Sequence, residues 1–543
     1  MLKLTKIMLC AGMAVSLAAC AQSEPANEPE EETQEETAEE TSSEPVANVT
    51  GGTIRGYVDA NGVRTFKGIP YAATTEGENR FRDPQPVEAW EGERDCTEFG
   101  PIVMQNEAAP FMCWSAEYVD GGLNYENGRM SEDSLNLNVW TTAEKGDKQP
   151  VIVYIHGGAN TSGSGQNEVY TGENIAQKGV VYVTINYRVG LFGWLCYEDE
   201  TGEKITGNFG IKDQIAALEW VKNNIAEFGG DPSNVTIAGQ SAGSQDVQKL
   251  MISPKAKGLF QHAVAMSANA YEGFGPMGGI PVEEAQAAAK EALGEYTVAD
   301  LRSMSTLEVD ALREVYNPSN HVIDGEYITE YTKDAYASGD FNHVDFMAGC
   351  VTGDTALFGT FLALPEGETE WTEELYAKVA KDTVGDFADQ LMAVYPADGD
   401  LSAIMAQMSA DNAIAQYSIM LAKKAEKDSS GNYQWYFSRS VPDADPKVEA
   451  MWGAFHTGDV GYWLNYFSDT SKRPWKDADY QLGDLMSNYL VNFAKTGDPN
   501  GAGLPEWKKA DGNVNYMHLC EESAYESMSE ERNAFWQAFY ANN

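Results

Sequence analysis

The most informative part of this chain is the stretch Asn234-Val-Thr-Ile-Ala-Gly-Gln-Ser-Ala-Gly243. Its first five residues predict a buried strand, which runs directly into the pattern Gly-x-Ser-x-Gly at Gly239–Gly243. A turn that tight has room only for glycine two residues before and two residues after the serine. The pattern therefore predicts that Ser241 is presented on a sharp turn between a strand and a following segment.

Apolar runs on either side of this stretch predict further strands. They are Val151–Ile155, Val180–Ile185 and Ala263–Met266. Apolar residues also recur at three- and four-residue spacing from Ile211 to Phe228, which predicts a helix that Gly229-Gly230 ends. Strands alternating with helices indicate an α/β fold with a mostly parallel central sheet and helices on both faces. Functional sites in such sheets gather at the carboxyl ends of the strands.

The first of these strands ends in His156-Gly-Gly-Ala159. Small residues at this position allow a substrate carbonyl to approach the backbone closely. The backbone N–H groups of Gly158 and Ala159, with that of Ala242 after the serine, are candidates for stabilising a developing negative oxygen. The competing interpretation of the glycines is a plain turn after a strand.

The charge of the chain excludes several classes of function. Its 543 residues include 37 Lys and Arg against 83 Asp and Glu, a formal net charge of -46. Nucleic-acid binding and docking on anionic lipid both require clustered basic residues, so both are disfavoured. A hydrophobic content of 43% nevertheless predicts a large folded core. Residues 21–47 hold ten Glu and no Lys, Arg or Asp, and residues 48–543 alone still carry -38.

The amino terminus reads as an export signal. Lys3 and Lys6 precede an apolar run, Ile7–Ala18, that is too short to span a bilayer comfortably. The run ends in Leu17-Ala-Ala-Cys20, which resembles the lipobox of bacterial lipoproteins. We therefore expect a lipoprotein signal peptide at 1–19, a lipidated Cys20 with an acidic disordered linker at 20–47, and one catalytic domain at 48–543. The alternative is an ordinary signal peptide that happens to include a cysteine.

The remaining cysteines show no metal-ligand spacing. They are Cys96, Cys113, Cys196, Cys350 and Cys520. Cys96 and Cys113 are the only near pair, and the sequence leaves their pairing open. Buried free thiols are the preferred interpretation for most of them.

Longer motifs resemble those of the type-B carboxylesterases, the family of the cholinesterases and the bacterial para-nitrobenzyl esterases. The resemblance covers about residues 49–540 and implies the α/β-hydrolase fold. Its motifs are Phe66–Ala72, Arg80-Phe81, Ser131–Asn138, Asn186-Tyr-Arg188, Gly207–Gln214, Ala217–Ile225 and Phe228–Thr236, followed by the Gly-Gln-Ser-Ala-Gly turn. The residue before the serine, commonly Glu in this family, is Gln240 here, which removes a negative charge beside the site.

The resemblance implies the partners of Ser241. Gly349-Cys-Val-Thr-Gly-Asp354 is similar to the family's strand that ends in the catalytic acid, so the acid is Asp354, although Asp345 is nearby. Gly453–Asp459 resembles the histidine loop and makes His456 the base. The order serine, acid, histidine is that of the hydrolase fold. Ser267 matches a serine that supports the acid.

These features predict an exported, lipid-anchored serine esterase at the bacterial cell surface or envelope membrane. The reaction would proceed through an acyl-enzyme on Ser241 and needs no metal or cofactor. The expected partner is a small-molecule ester, with a membrane contacted through the lipid only and no nucleic acid. The alternatives are a lipase or sterol esterase using the same chemistry, and a non-catalytic cell-surface binding protein of the same fold.

Overall fold

A computed structural model describes residues 44–106, 129–271, 278–354, 370–469 and 471–542. Cys20, Cys113 and the predicted signal peptide lie outside these residues, as does the predicted linker up to residue 43. Within them, no helix combines the length and the apolar character needed to cross a membrane.

The secondary structure follows the alternation of strands and helices that the sequence predicts. The strands β1 to β18 are Val46–Val49, Gly52–Arg55, Tyr57–Val58, Arg64–Pro70, Glu93–Asp95, Asn136–Thr141, Gln149–Ile155, Val181–Ile185, Cys196–Glu198, Lys204–Thr206, Gly230–Gln240, His262–Met266, Ile280–Pro281, Val322–Ile323, Asp345–Val351, Asn432–Phe437, Asn515–Leu519 and Ala524–Ser527. The α-helices α1 to α15 are Glu173–Ala176, Gly190–Trp194, Phe209–Asn224, Ala242–Ile252, Val282–Leu293, Val298–Ser303, Thr306–Ala311, Thr332–Ser338, Glu373–Val384, Ala388–Val394, Leu401–Ala425, Pro446–Trp452, Val460–Trp463, Asp477–Thr496 and Glu530–Ala541. Short 3₁₀ helices cover Gly77–Asn79, Glu168–Tyr170, Ile225–Phe228, Pro254–Ala256, Leu312–Glu314 and Gly385–Phe387.

One large sheet organises the described residues, with the strand order β18-β17-β16-β15-β12-β11-β7-β8-β6-β4-β3. From β8 to β17 all neighbouring strands are parallel, and antiparallel strands extend the sheet at both edges. The carboxyl ends of β7, β11 and β15 therefore lie on the same side of the sheet, at the ends of parallel strands. The predicted fold class, a mostly parallel α/β-hydrolase sheet, is confirmed.

Helices cover both faces of this sheet, as the continuous apolar strands require. Alternate residues of β7 enter two different hydrophobic clusters. Val151, Val153 and Ile155 pack in the cluster that contains residues of α3 and α4. Ile152 and Tyr154 pack in the cluster that contains residues of α14. A strand buried on both faces cannot alternate polar and apolar residues, which is why this one reads as an unbroken apolar run.

Two boundaries differ from the sequence prediction. The predicted helix that ends at Phe228 is α-helical only to Asn224 and then tightens into a 3₁₀ turn. The turn stops at Gly229, whose φ of +82° favours glycine. At the amino terminus, β1 begins at Val46, inside the segment predicted as linker, because alternate residues of this strand are buried as it pairs with β2.

The cysteines of the described residues are free thiols. Cys96, Cys196 and Cys350 are buried, and Cys520 is half-buried. Burial raises the pKa of the Cys96 and Cys196 thiols to about 11. These side chains therefore stay protonated at neutral pH and act as small apolar groups in the core.

Candidate active site

The turn at Ser241 is built from backbones that approach each other closely. Ser241 lies between β11 and α4 with φ 58° and ψ -126°, a conformation that L-residues rarely adopt. A Cβ atom on Gly239 would lie 2.4 Å from the carbonyl oxygen of Gly243, and one on Gly243 would lie 2.1 Å from that of Ile155. Both glycines are therefore required, because the turn packs against itself and against the end of β7.

A chain of hydrogen bonds links the serine to a histidine and an aspartate. His456 Nε2 lies 2.8 Å from Ser241 Oγ, and His456 Nδ1 lies 2.6 Å from Asp354 Oδ1. The histidine and the aspartate are both buried. The structure thus brings together three residues that are far apart in the sequence, in the arrangement that lets a histidine take the proton of a serine while a carboxylate orients the ring.

Asp354 and Asp345, the two acids considered from the sequence, lie at opposite ends of β15. Asp354 follows the carboxyl end of the strand, where its Oδ2 accepts a hydrogen bond from the N–H of Val351 at 3.1 Å. Asp345 begins the strand, and its carboxylate contacts His262 at 3.1 Å and the N–H of Gly431. Asp345 is therefore on the edge of the sheet away from Ser241 and does not contact His456.

Gln240 supports the histidine loop through its side chain. Its Nε2 donates a hydrogen bond to the carbonyl oxygen of His456 at 3.0 Å, and the side chain is buried. A neutral amide can donate this bond, whereas a carboxylate in the same position could only accept. The glutamine thus joins the nucleophile turn to the base through a bond that a glutamate could not donate.

The predicted oxyanion donors lie on two segments that meet at Ser241. Gly158 and Ala159 both have positive φ, at 116° and 54°, so the chain turns sharply after β7. A Cβ atom on the preceding Gly157 would lie 2.9 Å from Ser241 Cβ, which places this turn directly against the serine. Ala242 is the first residue of α4. Its N–H is among those that an α-helix leaves without an internal partner.

His156 and Ser267 do not join the chain of hydrogen bonds at Ser241. His156 Nδ1 lies 2.8 Å from the carbonyl oxygen of Gly157, and burial lowers the pKa of His156 to about 4, so the ring is neutral. Ser267 follows β12 with φ 56°. Its buried hydroxyl makes no hydrogen bond within the described residues, so the predicted support of Asp354 by this hydroxyl is not seen.

Asp459 is a buried acid beside the site that is not among the residues predicted from the sequence. It lies three residues after His456, and its Oδ2 accepts a hydrogen bond from Trp463 Nε1 at 3.1 Å. Its Oδ1 is buried without a partner in the part of the chain that the structure describes. Burial and the adjacent charge of Asp354 raise the pKa of Asp459 to about 7. Its position at the end of the motif Gly453–Asp459, which also contains His456, is the sequence feature that could have identified it.

The remaining histidines are held by carboxylates or lie at the surface. His262 contacts Asp345, His321 contacts Asp246, His518 contacts Glu526, and His343 is half-exposed near Asp428. The described residues contain no cluster of three or more His, Cys, Asp or Glu side chains that could hold a metal ion. Ser241, His456 and Asp354, together with the backbone N–H groups beside the serine, form a site suited to acyl transfer.

Comparison with known proteins identifies the family of this chain. Residues 43–536 match the family model described as the carboxylesterase family. The human cocaine esterase is 30% identical over 500 residues, covering 88% of this chain and 87% of that protein. The fumonisin B1 esterase of Sphingopyxis macrogoltabida is 29% identical over 469 residues, covering 82% of this chain and 81% of that protein.

Solved structures give the same result. A carboxylesterase of Geobacillus stearothermophilus superposes with a TM-score of 0.73 at 30% identity, covering 91% of this chain and 100% of that one. A PNB esterase superposes with a TM-score of 0.71 at 26% identity, covering 91% of this chain and 99% of that one. With a triad-like chain of hydrogen bonds on this sheet, and with matches that span nearly the whole described body, the protein belongs to the carboxylesterase family and is a serine hydrolase of carboxylic esters.

Proposed function

We propose that Ser241, His456 and Asp354 carry out ester hydrolysis in this protein. Ser241 Oγ forms a bond to the ester carbonyl carbon while His456 Nε2 takes its proton, and Asp354 stabilises the imidazolium that results. The ester C–O bond then breaks, and His456 returns the proton to the leaving alcohol. Water attacks the acyl-enzyme by the same route and frees the acid and the serine. The observation that carries this proposal is the continuous chain of hydrogen bonds at 2.8 Å and 2.6 Å.

The oxyanion of each tetrahedral intermediate is assigned to the backbone N–H groups of Gly158, Ala159 and Ala242. The positive φ values of Gly158 and Ala159 and the packing of Gly157 against Ser241 support this assignment. Each well-aimed donor of this kind contributes about 3 kcal/mol to lowering the barrier.

Neutral esters are the substrate class that the charge of the protein favours. Residues 48–543 carry a formal charge of -38, which repels anionic ligands over long range. An ester with a free carboxylate or phosphate near its carbonyl should therefore be a poor substrate.

We further propose that the protein is a lipid-anchored protein of a bacterial envelope. The support is the sequence: a basic start, a short apolar run and Leu17-Ala-Ala-Cys20, followed by ten Glu in residues 21–47. Like charges repel one another and extend such a segment. A lipid on Cys20 would then hold the catalytic domain near a membrane through an acidic segment.

The nucleophile is tested by replacing Ser241→Ala. Labelling by a fluorophosphonate probe and hydrolysis of short-chain nitrophenyl esters should both be lost, because the attacking oxygen is removed. Ser303→Ala serves as the matched control, since it changes an exposed serine whose hydroxyl donates a hydrogen bond to the carbonyl oxygen of Asp300, and it should keep the labelling. Labelling that persists in the Ser241 variant would refute the mechanism.

The acid is tested by replacing Asp354→Asn. An asparagine favours the wrong ring tautomer, so kcat should fall by about four powers of ten. Asp345→Asn alters a carboxylate of the same strand that also contacts a histidine, and kcat should stay within about threefold of wild type because this pair is at the far edge of the sheet. The assignment fails if the two variants lose activity equally.

The charge of Asp459 predicts how the stability of the fold varies with pH. The pKa of Asp459 in the folded state is about 7, above the ordinary range of an aspartate. The stability that its proton contributes is therefore fully present at pH values below that ordinary range, and it is lost as the pH rises through 7. Between pH 5 and pH 8, the free energy of unfolding measured in urea should fall by on the order of 2 kcal/mol more in wild type than in Asp459→Asn. Asp382→Asn, at an exposed position, should behave as wild type. Equal losses in wild type and Asp459→Asn would contradict the interpretation.

The anchor is tested by replacing Cys20→Ser in the full chain expressed in a bacterium. Wild type should sediment with membranes, resist extraction by salt and incorporate a fatty-acid label. The variant should lose the label and leave the membrane fraction, with kcat unchanged, because the catalytic domain is untouched. Cys520→Ser, a half-buried free thiol, is the control and should remain anchored. Unlabelled wild type in the supernatant would overturn this proposal.

A further inference from the structure

A second buried pair of aspartate and histidine lies beside the nucleophile helix. Asp246 is in α4, five residues after Ser241, and its Oδ1 lies 2.7 Å from His321 Nε2. Gln214 Nε2 donates to the other carboxylate oxygen at 2.6 Å. Asp246 is fully buried and His321 is 3% exposed. The catalytic steps described above use neither residue, so the pair calls for a different role.

Tyr187, which lies beside Asp246, holds the start of the oxyanion turn. The Tyr187 hydroxyl donates a hydrogen bond to the carbonyl oxygen of His156 at 2.7 Å, and the two rings stack with centroids 4.3 Å apart. Burial and the adjacent charge of Asp246 raise the pKa of Tyr187, so the hydroxyl keeps its proton. Tyr187 thus contacts the residue at which the chain enters the turn of Gly158 and Ala159, and the charge of Asp246 acts on both rings.

His321 is connected to the other end of the same turn. It ends a segment, residues 317–321, whose Ser319 carbonyl oxygen accepts a hydrogen bond from Asn160 Nδ2 at 3.3 Å. In the same segment, Asn317 Oδ1 accepts a hydrogen bond from the N–H of Leu191 at 3.1 Å. Asn160 directly follows Ala159 in the chain. The segment that contacts the far end of the turn is thus attached to α4 by His321.

We propose that Asp246 and His321 are positioning residues for the oxyanion turn, a role that rests on the proposed function of Ser241. Asn160, at the far end of the turn, is held by the segment that His321 attaches to Asp246, and Tyr187, beside Asp246, holds His156 at the near end. Asp246 itself is on the helix that begins with the donor Ala242. One carboxylate thereby fixes the donors of two separate segments relative to each other. Such donors act fully only when aimed at the charge that develops in the transition state.

The test separates positioning from simple stabilisation of the fold. His321→Leu removes the donor to Asp246, and on a short-chain nitrophenyl ester kcat should fall about 10- to 100-fold with KM within about threefold, the result of misplaced transition-state contacts. His321→Gln offers a side-chain N–H in place of the ring and should recover kcat to within about fivefold of wild type. Asp246→Asn, which keeps the shape of the side chain, should also lower kcat while changing KM little.

A buried pair remote from the site provides the matched control. Lys424 Nζ lies 2.7 Å from Asp428 Oδ2 and also contacts the carbonyl oxygen of Val344, near the amino end of β15. Asp428→Asn should lower the urea midpoint of unfolding about as much as the His321 variants, yet leave kcat within about twofold, because it is far from Ser241.

The outcomes distinguish this inference from the proposed function. If Ser241→Ala is inactive but His321→Leu and Asp246→Asn keep the wild-type kcat, the positioning role is wrong while the triad stands. The role is also wrong if the fall in kcat simply follows the loss of stability. In that case the fall in kcat, relative to the loss of stability, would be the same in Asp428→Asn as in His321→Leu. If Ser241→Ala stays active, the proposed function itself fails.

Discussion

The carbonyl oxygen of Ile155 lies so close to Gly243 that no Cβ atom fits between them, and this contact of two backbones fixes the geometry of the site. It holds the turn at Ser241 against the end of β7. The oxyanion turn starts from that same strand end, so the nucleophile and the backbone donors are placed by one contact. The serine conformation is strained, and strain of this kind persists only where the surrounding structure enforces it.

Buried charge is the second constraint on this site. Asp354, His456 and Asp459 lie together in a region largely closed to water, where burial and the charge of Asp354 raise the pKa of Asp459 to about 7. Asp354 lies against the ring of His456, whereas Asp459 accepts a hydrogen bond from Trp463. The two acids thus have different roles because their surroundings differ, although their side chains are identical.

The sequence predicted the fold and the local motifs well, because these depend on short-range rules. An unbroken apolar run indicates a strand buried on both faces, and Gly239 and Gly243 indicate a turn without space for side chains. The pairing of Asp246 with His321 could not be predicted, since 75 residues separate them and neither lies in a recognisable motif. The choice between Asp354 and Asp345 likewise depended on which end of β15 each residue occupies.

The free thiols have a consequence for how the protein matures. Among the described residues no covalent cross-link joins distant segments, and Cys96, Cys196 and Cys350 are packed in the interior as protonated side chains. The described residues of the catalytic domain are consequently held together by non-covalent contacts, with burial of apolar side chains as the main driving force. Folding of this part of the chain then depends on neither an oxidant nor a disulfide isomerase, and a reducing environment leaves its core unchanged.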